Sequence, residues 1–144
     1  MTLIDAYGLV ALVADEPAAS EVESLLRAGE CRMVAVNLAE AVDLCRRVHG
    51  ISAEDVRAAV EPLTLSGTLA VATSAEREAW LSADLRARHY HRKECPLSLA
   101  DCFLLAHALA DDDALATSDP DLARVARLEN APVVALPDRA GKRP

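Results

Sequence analysis

Four acidic residues fall where carboxylates could act together. Asp5 closes an apolar run in Leu-Ile-Asp, Glu40 ends Val-Asn-Leu-Ala-Glu, Asp101 ends Leu-Ser-Leu-Ala-Asp and Asp119 ends Ala-Thr-Ser-Asp. Carboxylates crowded into one place repel one another and raise one another's pKa, so a cluster persists comfortably only with a cation or proton between its members. Oxygen ligands with positions left open to water suit Mg²⁺ or Mn²⁺ better than zinc. One or two such ions activate water and stabilise charge on the attacking and leaving oxygens when a phosphodiester is displaced in line. That chemistry requires neither a Ser nucleophile nor a Cys and His pair. The chain also lacks G-x-S-x-G, a P-loop and G-x-G-x-x-G, which disfavours hydrolase triads, nucleotide triphosphatases and dinucleotide enzymes.

Bringing these acids together requires a particular scaffold. Met1 to Ile4, Met33 to Val36, Leu69 to Ala72, Ala114 to Ala116 and Val133 to Leu136 read as strands. Between them lie helical patterns over Ala6 to Ala14, Pro17 to Ala28, Leu38 to His49, Ala53 to Leu65, Ala75 to Tyr90, Leu99 to Asp111 and Pro120 to Leu128. Gly29, Gly50 and Gly67 stand where C-caps are expected, and Ser52 and Ser74 where N-caps are expected. The alternation predicts an α/β fold with a central, mainly parallel five-stranded sheet flanked by helices on both faces. In such a sheet the carboxyl ends of the strands and the following helix N-termini share one edge, where ligands bind, and all four acids map to that edge.

These residues resemble those of the PIN-domain ribonucleases, especially toxins of the VapC type from type II toxin-antitoxin systems. The resemblance rests on Leu3-Ile4-Asp5 with the apolar helix Leu9 to Val13, on Ala39-Glu40, on Leu99-Ala100-Asp101 with Ala106 and Ala108, and on Thr117-Ser118-Asp119. It spans nearly the whole chain, with residues 1–136 as a single domain and 137–144 as a short polar tail expected to be poorly ordered. It implies a metal-dependent endoribonuclease in which Asp5, Glu40, Asp101 and Asp119 surround Mg²⁺ or Mn²⁺. It also implies a homodimer, inhibition by a cognate antitoxin protein, and a supporting role for the Thr117 hydroxyl. Asp121 either joins the metal site or favours its helix N-terminus.

Bulk properties are compatible with this reading. At 144 residues and 52% hydrophobic, the chain can build one core. Aromatics make up 3%, too few for base-stacking platforms, and the net charge of −8 excludes a general polyanion binder. Positive charge for nucleic acid must then be local. Bound divalent cations would supply it, and Arg86, Arg88, Arg92 and Lys93, with His89 and His91, form the one locally basic stretch. That stretch reads either as an exposed helix end or as an RNA-backbone contact. Cys31, Cys45, Cys95 and Cys102 form no C-x-x-C pair and read as reduced core thiols. With no signal-peptide pattern and no membrane-length apolar run, the expected location is the cytoplasm.

Structural alternatives remain for three of the acids. Asn37 with Glu40, and Ser98 with Asp101, have the spacing of a capping box, and Asp119 before Pro120 resembles an N-cap followed by proline at the first helical position. If the acids serve only as caps, the chain is a non-catalytic PIN-like interaction module. A nuclease acting on structured DNA is a further alternative. Asp43 reads as an acid paired with Arg46 or Arg47, Asp111 to Asp113 as a solvated turn, and His49 and His107 as structural residues.

Overall fold

The computed structural model describes residues 1–144. The strands are β1 (Thr2–Ile4), β2 (Cys31–Val34), β3 (Leu69–Ala72), β4 (Ala114–Thr117) and β5 (Val133–Ala135). The helices are α1 (Ala6–Ala14), α2 (Ala19–Ala28), α3 (Ala35–Leu44), α4 (Ala53–Leu65), α5 (Glu76–His89), α6 (Leu99–Asp111) and α7 (Pro120–Leu128). All strand pairings are parallel and the sheet order is β3-β2-β1-β4-β5.

The chain steps outward from β1 to β2 and β3, then returns to lay β4 and β5 on the other side of β1. The reversal lies between β1 and β4, where crossovers diverge to opposite faces and leave a crevice at the carboxyl ends of those strands.

Successive residues of a strand point to opposite faces, and they divide the core in two. Ile4, Met33 and Ala116 pack under α1, α2, α3 and α4, while Leu3, Val34 and Leu115 pack under α6 and α7. Small residues such as Ala11, Ala41, Ala106 and Ala126 are fully buried and allow the close approach that a core poor in aromatics requires. Trp80 and Tyr90 stay exposed, and all four cysteines are buried and free.

Several local expectations are corrected. Strand β2 ends at Val34 and α3 begins at Ala35, so Asn37 is inside the helix and caps nothing. The last turn before Gly50, Cys45–His49, is wound as a π-helix. Helix α5 begins at Glu76, whose neighbour Glu78 accepts the Ala75 N–H at 2.9 Å; Ser74 instead bonds His107 Nε2 at 3.0 Å. Asp111 and Asp112 are exposed as a solvated turn requires, but Asp113 is buried, and both Asp111 and Asp113 pair with Arg32. Asp43 pairs with Arg47 at 2.7 Å, one of the two partners expected.

The segment after Pro137 also departs from expectation. Asp138 Oδ1 accepts the N–H groups of Ala140 and Lys142, each at 2.8 Å, and Asp138 N–H donates to the Lys142 carbonyl at 2.7 Å. Gly141, at φ +78°, supplies the left-handed residue this turn needs. Arg139 pairs with Glu16 at 2.9 Å and Arg143 with Glu21 at 2.6 Å. Long-range ion pairs, not apolar burial, hold the segment down.

Candidate active site

Asp5 leaves the end of β1 in an extended conformation and caps α1, its Oδ1 accepting the Gly8 N–H at 2.7 Å. The Asp5 backbone N–H is tied to the Ala116 carbonyl of β4 at 3.1 Å, so this residue is fixed at the strand reversal. Its other oxygen, Oδ2, accepts the Thr117 hydroxyl at 2.5 Å. Thr117 Oγ1 in turn accepts the backbone N–H of Asp119 at 3.0 Å. One hydroxyl therefore couples the acid after β1 to the acid after β4.

Asp119 caps α7, with Oδ1 accepting the N–H groups of Asp121 and Leu122 at 2.7 and 2.9 Å. Pro120 follows at the first helical position, where a missing N–H costs nothing. Asp121 contributes through its backbone, because its carboxylate pairs with Arg124 at 3.2 Å. On α6 the capping box is complete: Asp101 N–H donates to Ser98 Oγ at 3.0 Å, and Ser98 N–H donates to Asp101 Oδ2 at 2.8 Å.

Glu40 differs from the other three. It sits in the second turn of α3, caps nothing and forms no ion pair or hydrogen bond. The capping explanation for Glu40 is thereby removed. Asn37, one turn earlier on the same face of α3, is fully buried, and neither its amide nitrogen nor its amide oxygen has a partner. The sequence offers Asn37 only as a cap, because its spacing to Glu40 does not distinguish a cap from a buried neighbour.

The acids grade from floor to rim. Asp5 is buried, Glu40 and Asp101 are half-buried, and Asp119 is exposed. Burial pushes the Asp5 carboxyl up to about 7; the bonds from Thr117 and Gly8 oppose that, and the charges of Asp101 and Asp119 add to it. Burial also raises Asp101, with a further push from Asp119, against the Ser98 bonds and the Arg86 charge. Glu40 is raised by burial, then by Asp101 and Asp43. Asp101 is thus the charge that acts on or with each of Asp5, Glu40 and Asp119, and no cationic side chain is bonded to any of the four.

The donor chemistry, carboxylate oxygen with an uncommitted Glu40, fits a hard divalent cation. No three His, Cys, Asp or Glu side chains come together in metal-holding geometry. Asp5, Asp101 and Asp119 are instead held by their own helix N-termini and by Thr117.

The basic stretch divides in two. Arg86 donates to the Leu97 carbonyl and lies over the Tyr90 ring at 4.1 Å, and Arg88 bonds Asp84 and Glu129. Both guanidiniums are engaged within the fold. Arg92 and Lys93 are exposed on the turn between α5 and α6 and have no acidic partner.

A PIN domain family model matches residues 2–128. No curated protein matches the chain by sequence. Solved structures with the same fold include VapC20 of Mycobacterium tuberculosis, described as a sarcin-ricin loop cleaving toxin, at 17% identity and a TM-score of 0.69 over 86% of this chain and 94% of that one. VapBC2 of Rickettsia felis, bound to a fragment of promoter DNA, is similar at 15% identity and a TM-score of 0.65 over 92% and 96%. A toxin-antitoxin complex from Klebsiella pneumoniae is similar at 21% identity and a TM-score of 0.61 over 85% and 91%. The chain belongs to the PIN domain family.

Proposed function

We propose that the protein is a divalent-cation-dependent endoribonuclease and the toxin of a toxin-antitoxin pair. The observation that supports this reading is that Asp101 acts electrostatically with each of Asp5, Glu40 and Asp119, while no cationic side chain is hydrogen-bonded to any of these four acids. Leaving charges so crowded is costly to the fold unless something positive is bound.

Asp5, Glu40, Asp101 and Asp119 would hold Mg²⁺ or Mn²⁺, which when bound supplies a nucleophilic water and charge stabilisation at a phosphodiester. The protein's own part is positioning. Thr117 fixes the orientation of Asp5 and the backbone at Asp119, the Ser98 box fixes Asp101, and Glu40 is the carboxylate that no hydrogen bond or ion pair commits elsewhere. Attack by water, with no ribose 2′-hydroxyl involved, leaves a 5′-phosphate and a 3′-hydroxyl.

RNA as substrate, an antitoxin partner, a homodimer and a cytoplasmic location belong to this proposal. The RNA substrate and the antitoxin partner are supported by the family and by the toxins and toxin-antitoxin complexes among the structures the chain is similar to. No helix is long and apolar enough to cross a membrane.

End-group analysis tests the chemistry. Incubation of a panel of single-stranded RNA, hairpin RNA and structured DNA with Mg²⁺ or Mn²⁺ should give RNA fragments with 5′-phosphates. Products ending in 2′,3′-cyclic phosphate would overturn the mechanism, and cleavage of the DNA alone would overturn the substrate.

A further inference from the structure

The C-terminal turn lies outside the residues matched by the family model, which end at 128, yet it returns to the edge of the sheet that carries the acids. Leu136 N–H donates to the Thr117 carbonyl at 2.9 Å, so the chain leaves β5 beside the residue that links Asp5 and Asp119. The turn then closes against the loop between β4 and α7. Between them is a small cleft lined by Ser118, Pro120, Asp138, Lys142, Arg143 and Pro144, the first two being the neighbours of Asp119 on either side.

The charges in this segment are not equivalent. Arg139 is committed to Glu16 and Arg143 to Glu21, with both guanidinium nitrogens of Arg143 on the two Glu21 oxygens. One oxygen of Asp138 is occupied by the backbone N–H groups of Ala140 and Lys142. Lys142 is exposed and has no acidic partner. The two arginines thus act as anchors, and Lys142, whose backbone is held by Asp138, lines the cleft with an unpaired ammonium.

We propose that this turn is a phosphate-binding arm in which Lys142 holds a backbone phosphate of the substrate strand in the cleft next to Asp119. The inference rests on the ribonuclease reading given above. A strand entering an acidic crevice on a chain of net charge −8 is repelled on approach. A cation adjacent to the crevice offsets that repulsion and fixes the register of the strand without reading its sequence.

The test is cleavage of a labelled single-stranded RNA under single-turnover conditions, with the full chain, across a range of protein and salt concentrations. Lys142→Glu and Lys142→Gln are compared with wild type and with Lys142→Arg, after equal melting temperatures confirm folding. The protein concentration for half-maximal rate should rise about three- to tenfold in Lys142→Gln and more in Lys142→Glu, with the plateau rate retained. The log-log salt dependence should flatten by about 0.7, the loss of one single-strand phosphate contact, and Lys142→Arg should restore both. If wild type cleaves and the Lys142→Glu and Lys142→Gln curves superimpose on it, or only their plateau rates fall, the phosphate arm is wrong and the nuclease stands. If wild type cuts no RNA, the ribonuclease reading fails first, and the arm falls with it.

Discussion

The Thr117 hydroxyl donates to Asp5 across 112 positions of sequence, at 2.5 Å, and both residues are buried. This bond holds the carboxylate at the end of β1 in the orientation it presents to the crevice. Because Thr117 also accepts the Asp119 N–H, it sets two acids at once. Thr117→Val keeps the shape and removes the link. Cleavage should fall about 10- to 100-fold, as when the orienting partner of a metal ligand is lost, and Thr117→Ser should recover most of it. A Thr117→Val enzyme as fast as wild type would show that the hydroxyl has no such role.

Gly8 accepts no side chain. A Cβ there would stand 2.4 Å from Ile4 Cγ2 and 3.4 Å from Asp5 Oδ1. Ile4 is β-branched, so its methyl cannot swing away without changing χ1. Gly8→Ala should destabilise the fold by about 1–3 kcal/mol, as overpacking does, and should lower activity beyond the loss of folded protein because Asp5 is displaced. Chemical denaturation checks the first part; an unchanged midpoint would contradict the close approach.

The two halves of the basic stretch should separate experimentally. Arg86→Ala removes the donor to Leu97, just before the Ser98 cap, and should cost about 1–3 kcal/mol, the range for a hydrogen bond to a charged group and the partner it orphans. The pair Arg92→Ala and Lys93→Ala should leave the melting temperature unchanged and weaken RNA binding with a shallower salt dependence. RNA affinity indifferent to Arg92 and Lys93 would return the stretch to an ordinary helix end.

His107 is buried beside Ser74, and desolvation holds its pKa below the ordinary 6.5; the charge of Arg32 acts in the same direction, against Glu78 and Asp111. The folded state therefore binds fewer protons than the unfolded state just below pH 6.5. The stabilisation is fully present above that pH and is lost as pH falls toward the folded value. Between about pH 7.5 and 5.5 the melting temperature of wild type should fall more than that of His107→Gln, which cannot titrate. Parallel profiles would contradict this assignment.

Much of the fold was legible because apolar runs and helical stripes alternate cleanly, and strand runs such as Leu69 to Ala72 have sharp edges. The run after β2 has none: Ala35 and Val36 are apolar and continue the strand pattern, although the chain has already turned into α3, so the pattern alone puts Asn37 at a cap. The π-turn before Gly50 leaves no compositional mark. The order of the C-terminal turn depends on Arg139 finding Glu16 and Arg143 finding Glu21, and local sequence does not encode such distant pairs.

The acids were legible individually and ambiguous in role, because a carboxylate at a helix N-terminus satisfies a cap and a cation site with the same residue type. The structure shows that for Asp5, Asp101 and Asp119 capping holds in fact. Capping fixes these three carboxylates at the crevice and is compatible with the proposed chemistry. Glu40, which caps nothing, is the acid for which the fold offers no local explanation.

The most direct test of the central claim is cleavage of a mixed RNA pool by wild type with Mg²⁺ or Mn²⁺, by wild type with EDTA, and by Asp5→Asn once its fold is confirmed by circular dichroism and melting. The acidic site predicts cutting that needs the metal and is lost in folded Asp5→Asn by about two orders of magnitude or more. Cutting that survives EDTA or the substitution, or no cutting by cleanly folded, partner-free protein on any RNA, would contradict it.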